Sequence, residues 1–187
     1  MTTFSEKRVA RNFYKTLRRF NVSPAAVNAA GVHANITLLA TTQAIADGTF
    51  AALDCPRNVT IKGTMAGASL TGNVKIYGLN TDGAQITETI ALNNNTEVMG
   101  NLAFAKVTRV DLPVRITAAD TVSIGFGKKI GFPEVIAGDP VLFTSLNEVV
   151  ETTRPTVAHG AGVHDCTFAP NSAPNGTKFI VVYFVAP

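Results

Sequence analysis

The chain changes its hydrophobic rhythm once, near residue 35. Ahead of that point Val9, Phe13, Leu17 and Phe20 recur at spacings of four, four and three, the period of one helical face. Ser5 is placed to cap the start, and Asn21 with Ser23-Pro24 marks an end, so the pattern predicts a short helix over Phe4–Phe20. The small residues of Pro24–Ala34 predict a linker, with His33 solvated in it. Beyond residue 35 the period drops to two. Val59 and Ile61 fall on one side of Arg57–Gly63, Val74 and Ile76 on one side of Asn73–Leu79, and Ile86, Ile90 and Leu92 on one side of Ala84–Leu92. Asp47-Gly48, Asn80–Gly83 and Asn93–Asn95 supply the turns between such runs.

Further strands are expected over Asn35–Ile45, Phe104–Pro113 and Ala119–Gly127, two more within residues 134–158, and a short one at Asp165–Phe168. The near-continuous apolar run Phe179–Val185 reads as a central strand covered on both faces. The resulting expectation is an all-β fold: a β-sandwich or jelly-roll-like domain over residues 35–187, preceded by a basic N-terminal arm and linker, residues 1–34, that carries the short helix.

Composition sharpens this picture in two places. Of the 187 residues 46% are hydrophobic and only 16% are charged, so the surface must be polar through Thr, Asn, Ser and Gly, which favours β-structure and uncharged contacts. Charge is unevenly placed. Residues 1–20 hold six basic side chains (Lys7, Arg8, Arg11, Lys15, Arg18, Arg19) against Glu6, a net +5, while the remainder holds ten basic and twelve acidic, a net −2. Such asymmetry points to an interaction arm. Three partners are compatible with it: nucleic acid through its phosphates, a membrane surface, or a protein surface on which apolar anchors dock while the charges steer. The last is preferred, with Arg8, Arg11, Phe13, Lys15, Leu17, Arg18, Arg19 and Phe20 as the partner-binding residues; nucleic acid ranks second, and membrane contact is not expected. The start of the chain is polar and then basic, so no signal peptide is expected, and no run reaches the ~18 apolar residues of a membrane span.

Candidate chemistry is sparse. His159, His164, Asp165 and Cys166 in "HGAGVHDC" are of zinc-ligand type, but the Gly-rich setting matches no zinc-site spacing, and a plain loop is preferred. "GFGKKIG" over Gly125–Gly131 fits neither GxxxxGK[ST] nor a GxGxxG that opens a helix, so it reads as a strand end or bulge. Glu88 is the oddity: it shares parity with Ile86 and Ile90, which suggests an edge position or a structural pairing with Arg57, Lys62 or another subunit. Of the two arrangements open to Cys55 and Cys166, a disulfide or two buried thiols, the second is preferred. No cofactor or metal is expected, and the chain is not expected to be an enzyme.

Three stretches, "CPRNVTIKG" (Cys55–Gly63), "TGNVKIYGLNTDGAQITETIAL" (Thr71–Leu92) and "AFAKVTRVDLP" (Ala103–Pro113), together resemble a recurrent module of tailed-bacteriophage virion proteins. The C-terminal "APNSAPNGTKFIVVYFV" (Ala169–Val185) is similar to the endings of small phage head proteins. The resemblance implies a virion structural protein of the capsid decoration (cement) type, a homotrimer bound to the major capsid protein or other virion proteins and assembled in the host bacterial cytoplasm. It leaves open another virion part, such as a tail, connector or head-fibre protein. A glycan-binding β-sandwich module is the alternative outside virions; against it stand the absence of Trp and the presence of only three Tyr, Tyr14, Tyr77 and Tyr183.

Overall fold

The computed structural model describes residues 16–67 and 69–185, and among these the regular structure is strand apart from one 3-10 turn at Val163–Asp165. The strands are β1 (Thr16–Val22), β2 (Asn28–Thr37), β3 (Gln43–Ala46), β4 (Arg57–Thr64), β5 (Asn73–Leu79), β6 (Gln85–Ala91) and β7 (Glu97–Phe104). They continue as β8 (Lys106–Leu112), β9 (Thr121–Gly131), β10 (Val141–Leu146), β11 (Val149–Val150), β12 (Thr156–Ala158), β13 (Thr167–Ala169) and β14 (Phe179–Val185). They form three antiparallel sheets, ordered β3-β8-β5-β6, β12-β13-β9-β4-β7 with β2 also on β9, and β1-β14-β10-β11.

The hairpin of β5 and β6 follows directly from its residues. Asn80 Oδ1 accepts the amides of Asp82 and Ala84, and Gly83 takes the positive φ of 77° that closes the turn. The register, Leu79 opposite Gln85 through Asn73 opposite Ala91, then sends Val74, Ile76, Ile86 and Ile90 to one buried face. There they meet Val59 and Ile61 of β4 and Val122 and Ile124 of β9, so the β3-β8-β5-β6 sheet and the central sheet share one sandwich-like core. Each aliphatic side chain fully buried there contributes about 1.5–3 kcal/mol.

A second core lies where the last residues of β9 leave the first. Ile130, Phe132, Ile136, Val141, Phe168, Val181 and Tyr183 pack together, with Phe20 and Val22 of β1 closing them. The strand β9 therefore runs through both cores, pairing with β2 over its first half and with β13 at its end.

The N-terminal region departs from expectation. Over Thr16–Phe20 the chain is strand, not helix, paired residue for residue with β14 from Thr16 opposite Val185 to Val22 opposite Phe179. The reason lies in β14, whose apolar run needs a backbone partner on each edge; β10 supplies one and β1 the other. As a strand β1 separates two residues that the helical period had put together: Phe20 turns inward and Leu17 outward. Of the expected arm contacts, Arg8, Arg11, Phe13 and Lys15 lie outside the described residues, as does the rest of the expected helix. The expected linker contains the start of β2, which crosses residues 34 and 35 unbroken and buries Val32. His33 is half-buried, opposite Ile124, with its ring edge-on to Phe50.

Candidate interaction surface

The β1-β14-β10-β11 sheet has one face in the second core and one face outward. The cross-strand register places Leu17 and Arg19 of β1, Ile180, Val182 and Phe184 of β14, Phe143 and Ser145 of β10 and Val150 of β11 on the outward side. Leu17 is 58% exposed, Phe143 38% and Val150 56%, and Val149 and Leu142 beside them are also exposed. An antiparallel sheet with a solvated face ordinarily alternates apolar-in with polar-out; here apolar side chains dominate both sides. Arg18 leans from the edge toward Glu134 at 3.9 Å, and Glu134 accepts the Tyr183 hydroxyl at 2.5 Å. Burial, followed by the neighbouring Glu134 carboxylate, holds the Tyr183 phenol well above its ordinary range.

The inward face explains how β1 is held. The Phe20 ring sits edge-on to Phe132, Phe168 and Tyr183, each centroid 5.8 Å away. Phe20 is thus part of the core and not a free anchor, while Leu17, Arg18 and Arg19 remain accessible.

A second device ties the β1–β2 connection to the central sheet. Arg57 is fully buried, donates through Nε at 2.9 Å and Nη2 at 2.5 Å to the Gly127 carbonyl, and lies over the Phe126 ring at 4.4 Å. Its Nη1 donates to the Ala25 carbonyl at 3.2 Å and to Asp54 at 3.1 Å, and Asp54 in turn accepts the Ala25 amide. Partial burial works to raise the Asp54 pKa, but the bonds from Ala25 and Arg57 outweigh it and hold the carboxyl below its usual value. Next along the strand, Asn58 Nδ2 donates to the Gly100 carbonyl and its Oδ1 accepts the Lys129 amide. These two positions sit where the ladder slips against both neighbours of β4, so their side chains satisfy backbone groups that the slips leave unpaired. Sequence reasoning gave Arg57 only as a possible partner of Glu88; the available signal was a charged residue opening a strand otherwise headed for the core.

Glu88 stands on the edge strand β6, as its parity allowed, and pairs with neither Arg57 nor Lys62. Its carboxylate accepts the amides of Asn101 at 2.6 Å and Leu102 at 3.3 Å, in the slipped stretch of β7, and so joins the edge of one sheet to the edge of the other. Burial raises its pKa, opposed by those two amides and by Lys129. "GFGKKIG" is the second half of β9, not a phosphate loop: Gly125 lies against the backbone of Asn28 and Ala29, and Gly127 against Asn58. In "HGAGVHDC" Cys166 is fully buried and accepts the Ile136 amide at 3.4 Å, while His164 faces Asp165 at 3.5 Å. Among the described residues no three His, Cys, Asp or Glu side chains converge on a metal-sized point. Both cysteines are free, and burial, with Asp54 beside it, pushes the Cys55 thiol up to about 12.

Of the tyrosines, Tyr183 is buried, and the Tyr77 ring carries Lys75 and Arg109 at 4.9 and 5.2 Å while its hydroxyl donates to Asp111. Neither offers a bare ring for a sugar to stack on. Among the described residues no helix is long and apolar enough to cross a membrane. Searches of protein-family models, curated proteins and solved structures return no match to this chain.

Proposed function

We propose that this chain is a structural component of a bacteriophage virion, one that binds and stabilises a capsid as a decoration (cement) protein and associates as a homotrimer. The observation that carries the reading is the outward face of the β1-β14-β10-β11 sheet, an apolar surface on a frame of three antiparallel sheets. The largest apolar patch on a protein surface is often its functional contact, and this one fits a protein whose working state is an assembly. The module-like stretches Cys55–Gly63, Thr71–Leu92 and Ala103–Pro113 supply the virion context, and the jelly-roll-like form of the frame belongs to the same proposal. Attachment draws on repeated modest contacts across a symmetric lattice, so no single site need be strong. The basic residues of the N-terminal region steer the approach, and the major capsid protein is the partner.

Cosedimentation of the purified chain with capsids lacking it tests the reading. Saturable binding at a fixed ratio to capsid subunits, with added resistance of the particle to heat, is expected. Absence of binding at micromolar concentration, together with the chain's absence from purified particles imaged by cryo-electron microscopy, overturns it.

A further inference from the structure

The outward face of β1, β14, β10 and β11 also indicates what covers it. With seven residues each in β1 and β14, six in β10 and two in β11, at about 3.3 Å per residue and about 4.8 Å between strands, the sheet presents a surface of roughly 350 Å². That is about half of what one partner contributes to a standard protein interface, so a second copy laid flat on this face alone makes a weak dimer. A single extended segment, by contrast, spans the face with about seven residues.

Such a segment enters the structure at this sheet. Residues 1–15 join β1 at Thr16, the residue before Leu17, and Thr16 pairs with Val185 at the very end of the sheet. They contain Phe4, Val9, Phe13 and Tyr14, apolar groups of the kind the face lacks partners for. From Phe13 to Phe20 there is no Gly, Pro, Asn or Asp, the residues that most readily reverse a chain. The segment is thus attached at the end of its own sheet, and its last residues include none of those that favour a turn back across that sheet. Fifteen residues reach up to about 50 Å when extended, enough to arrive at a neighbouring copy.

We propose that residues 1–15 of one copy cover the outward face formed by Leu17, Phe143, Val150 and Ile180 of a second copy, an exchange of arms that closes the oligomer into a ring. This rests on the self-association in the proposed function and names its surface. Each copy gives one arm and receives one, so a closed ring leaves no face bare, whereas a chain of copies that fails to close grows into filaments. The fit selects by apolar contact more than by charge, since the face carries both Arg19 and Glu148 at its rim.

The test uses two full-length variants, Phe13→Cys and Val150→Cys, mixed under a mild added oxidant. Native Cys166 is fully buried, and Cys55, which is only partly buried, is replaced by Ser in both variants so that neither competes. A disulfide joining residue 13 of one chain to residue 150 of the other, identified by mass spectrometry, is expected. In sedimentation, Phe13→Ala and Phe143→Asp should each weaken self-association at least about tenfold while the far-ultraviolet dichroism stays unchanged. An oligomer that forms without the cross-link and ignores both substitutions overturns the arm exchange but leaves self-association standing. A cross-link that forms only within a Phe13→Cys/Val150→Cys double variant overturns the exchange in favour of an arm folded on its own sheet. A chain that stays monomeric at all concentrations overturns both.

Discussion

Arg57 is the residue on which most of the tertiary bookkeeping converges. Its guanidinium is out of contact with solvent yet fully engaged, with Gly127, Ala25 and Asp54 as acceptors and Phe126 beneath. Removing one side of a buried charge network leaves the other side unpaired, at a cost of about 3–5 kcal/mol. Arg57→Ala should lose stability of that order in urea unfolding, and Arg57→Lys should recover little, because an ammonium cannot reach three acceptors as a planar fork does. Two carboxylates, Asp54 beside Arg57 and Glu88 on β6, should respond to pH with opposite signs. Asp54 has its pKa lowered by folding, so its contribution is complete above its unfolded pKa and is lost as pH falls through the folded value. Glu88 has its pKa raised, so its ionisation opposes folding once pH rises through that raised value. The difference in stability between Glu88→Gln and the natural chain should accordingly move in favour of Gln as pH climbs above the ordinary 4.5 of a glutamate. A difference that is flat from pH 4 to 7 would count against the assignment. The parity of Glu88 with Ile86 and Ile90 made its inward position legible in the sequence; its partners were not, because they are backbone amides exposed by a slip in β7 that no residue pattern announces.

At the scale of elements, legibility follows whether an element's pattern is satisfied locally. The β5–β6 hairpin states its own turn through Asn80 and Gly83 and its own face through Val74, Ile76, Ile86 and Ile90, and it folds as read. The strand β1 does not state itself. Its apolar residues Leu17 and Phe20 are three apart, which a helix places together and a strand places on opposite faces. What decides is a partner at the far end of the chain, the open edge of β14, and periodicity within residues 4–20 cannot report that. The two arrangements differ in a measurable way. With Phe20 set among three rings and Leu17 in solvent, Phe20→Ala should destabilise the chain by about 3–5 kcal/mol, and Leu17→Ala by no more than about 0.5 kcal/mol at concentrations too low for self-association. Equal losses from both substitutions would restore a shared helical face. The first part of β2, within the expected linker, is illegible for a related reason: Asn28–Thr37 pairs with β9 through two slips, and its Ala- and Gly-rich start carries no alternation.

For the whole molecule the consequence is that its two cores depend unequally on the N-terminal region. The first, between the β3-β8-β5-β6 sheet and the central sheet, draws its side chains from β2 onward, and β1 adds nothing to it. The second needs Phe20 and Val22 from β1 to close over Phe132, Phe168 and Tyr183. Deleting residues 1–15 removes none of these contacts and should leave the unfolding midpoint of the dissociated chain nearly unchanged. Extending the deletion to residue 30 strips β1 from β14, removes Ala25 from Arg57 and Asp54, and takes the first residues of β2 from β9. An uncovered apolar strand then lies at the edge of a sheet, the arrangement that invites association with any other open strand. The longer deletion is therefore expected to aggregate, or to lose amide protection first in β14, β10 and β13 while β4, β5 and β8 remain protected in hydrogen exchange. If instead protection were lost uniformly, the cores would be one cooperative unit and the partition along β9 would have no energetic meaning. Retention of full stability without residues 1–30 would show that β1 is an accessory to the fold, and would return those residues to the role of a detachable arm.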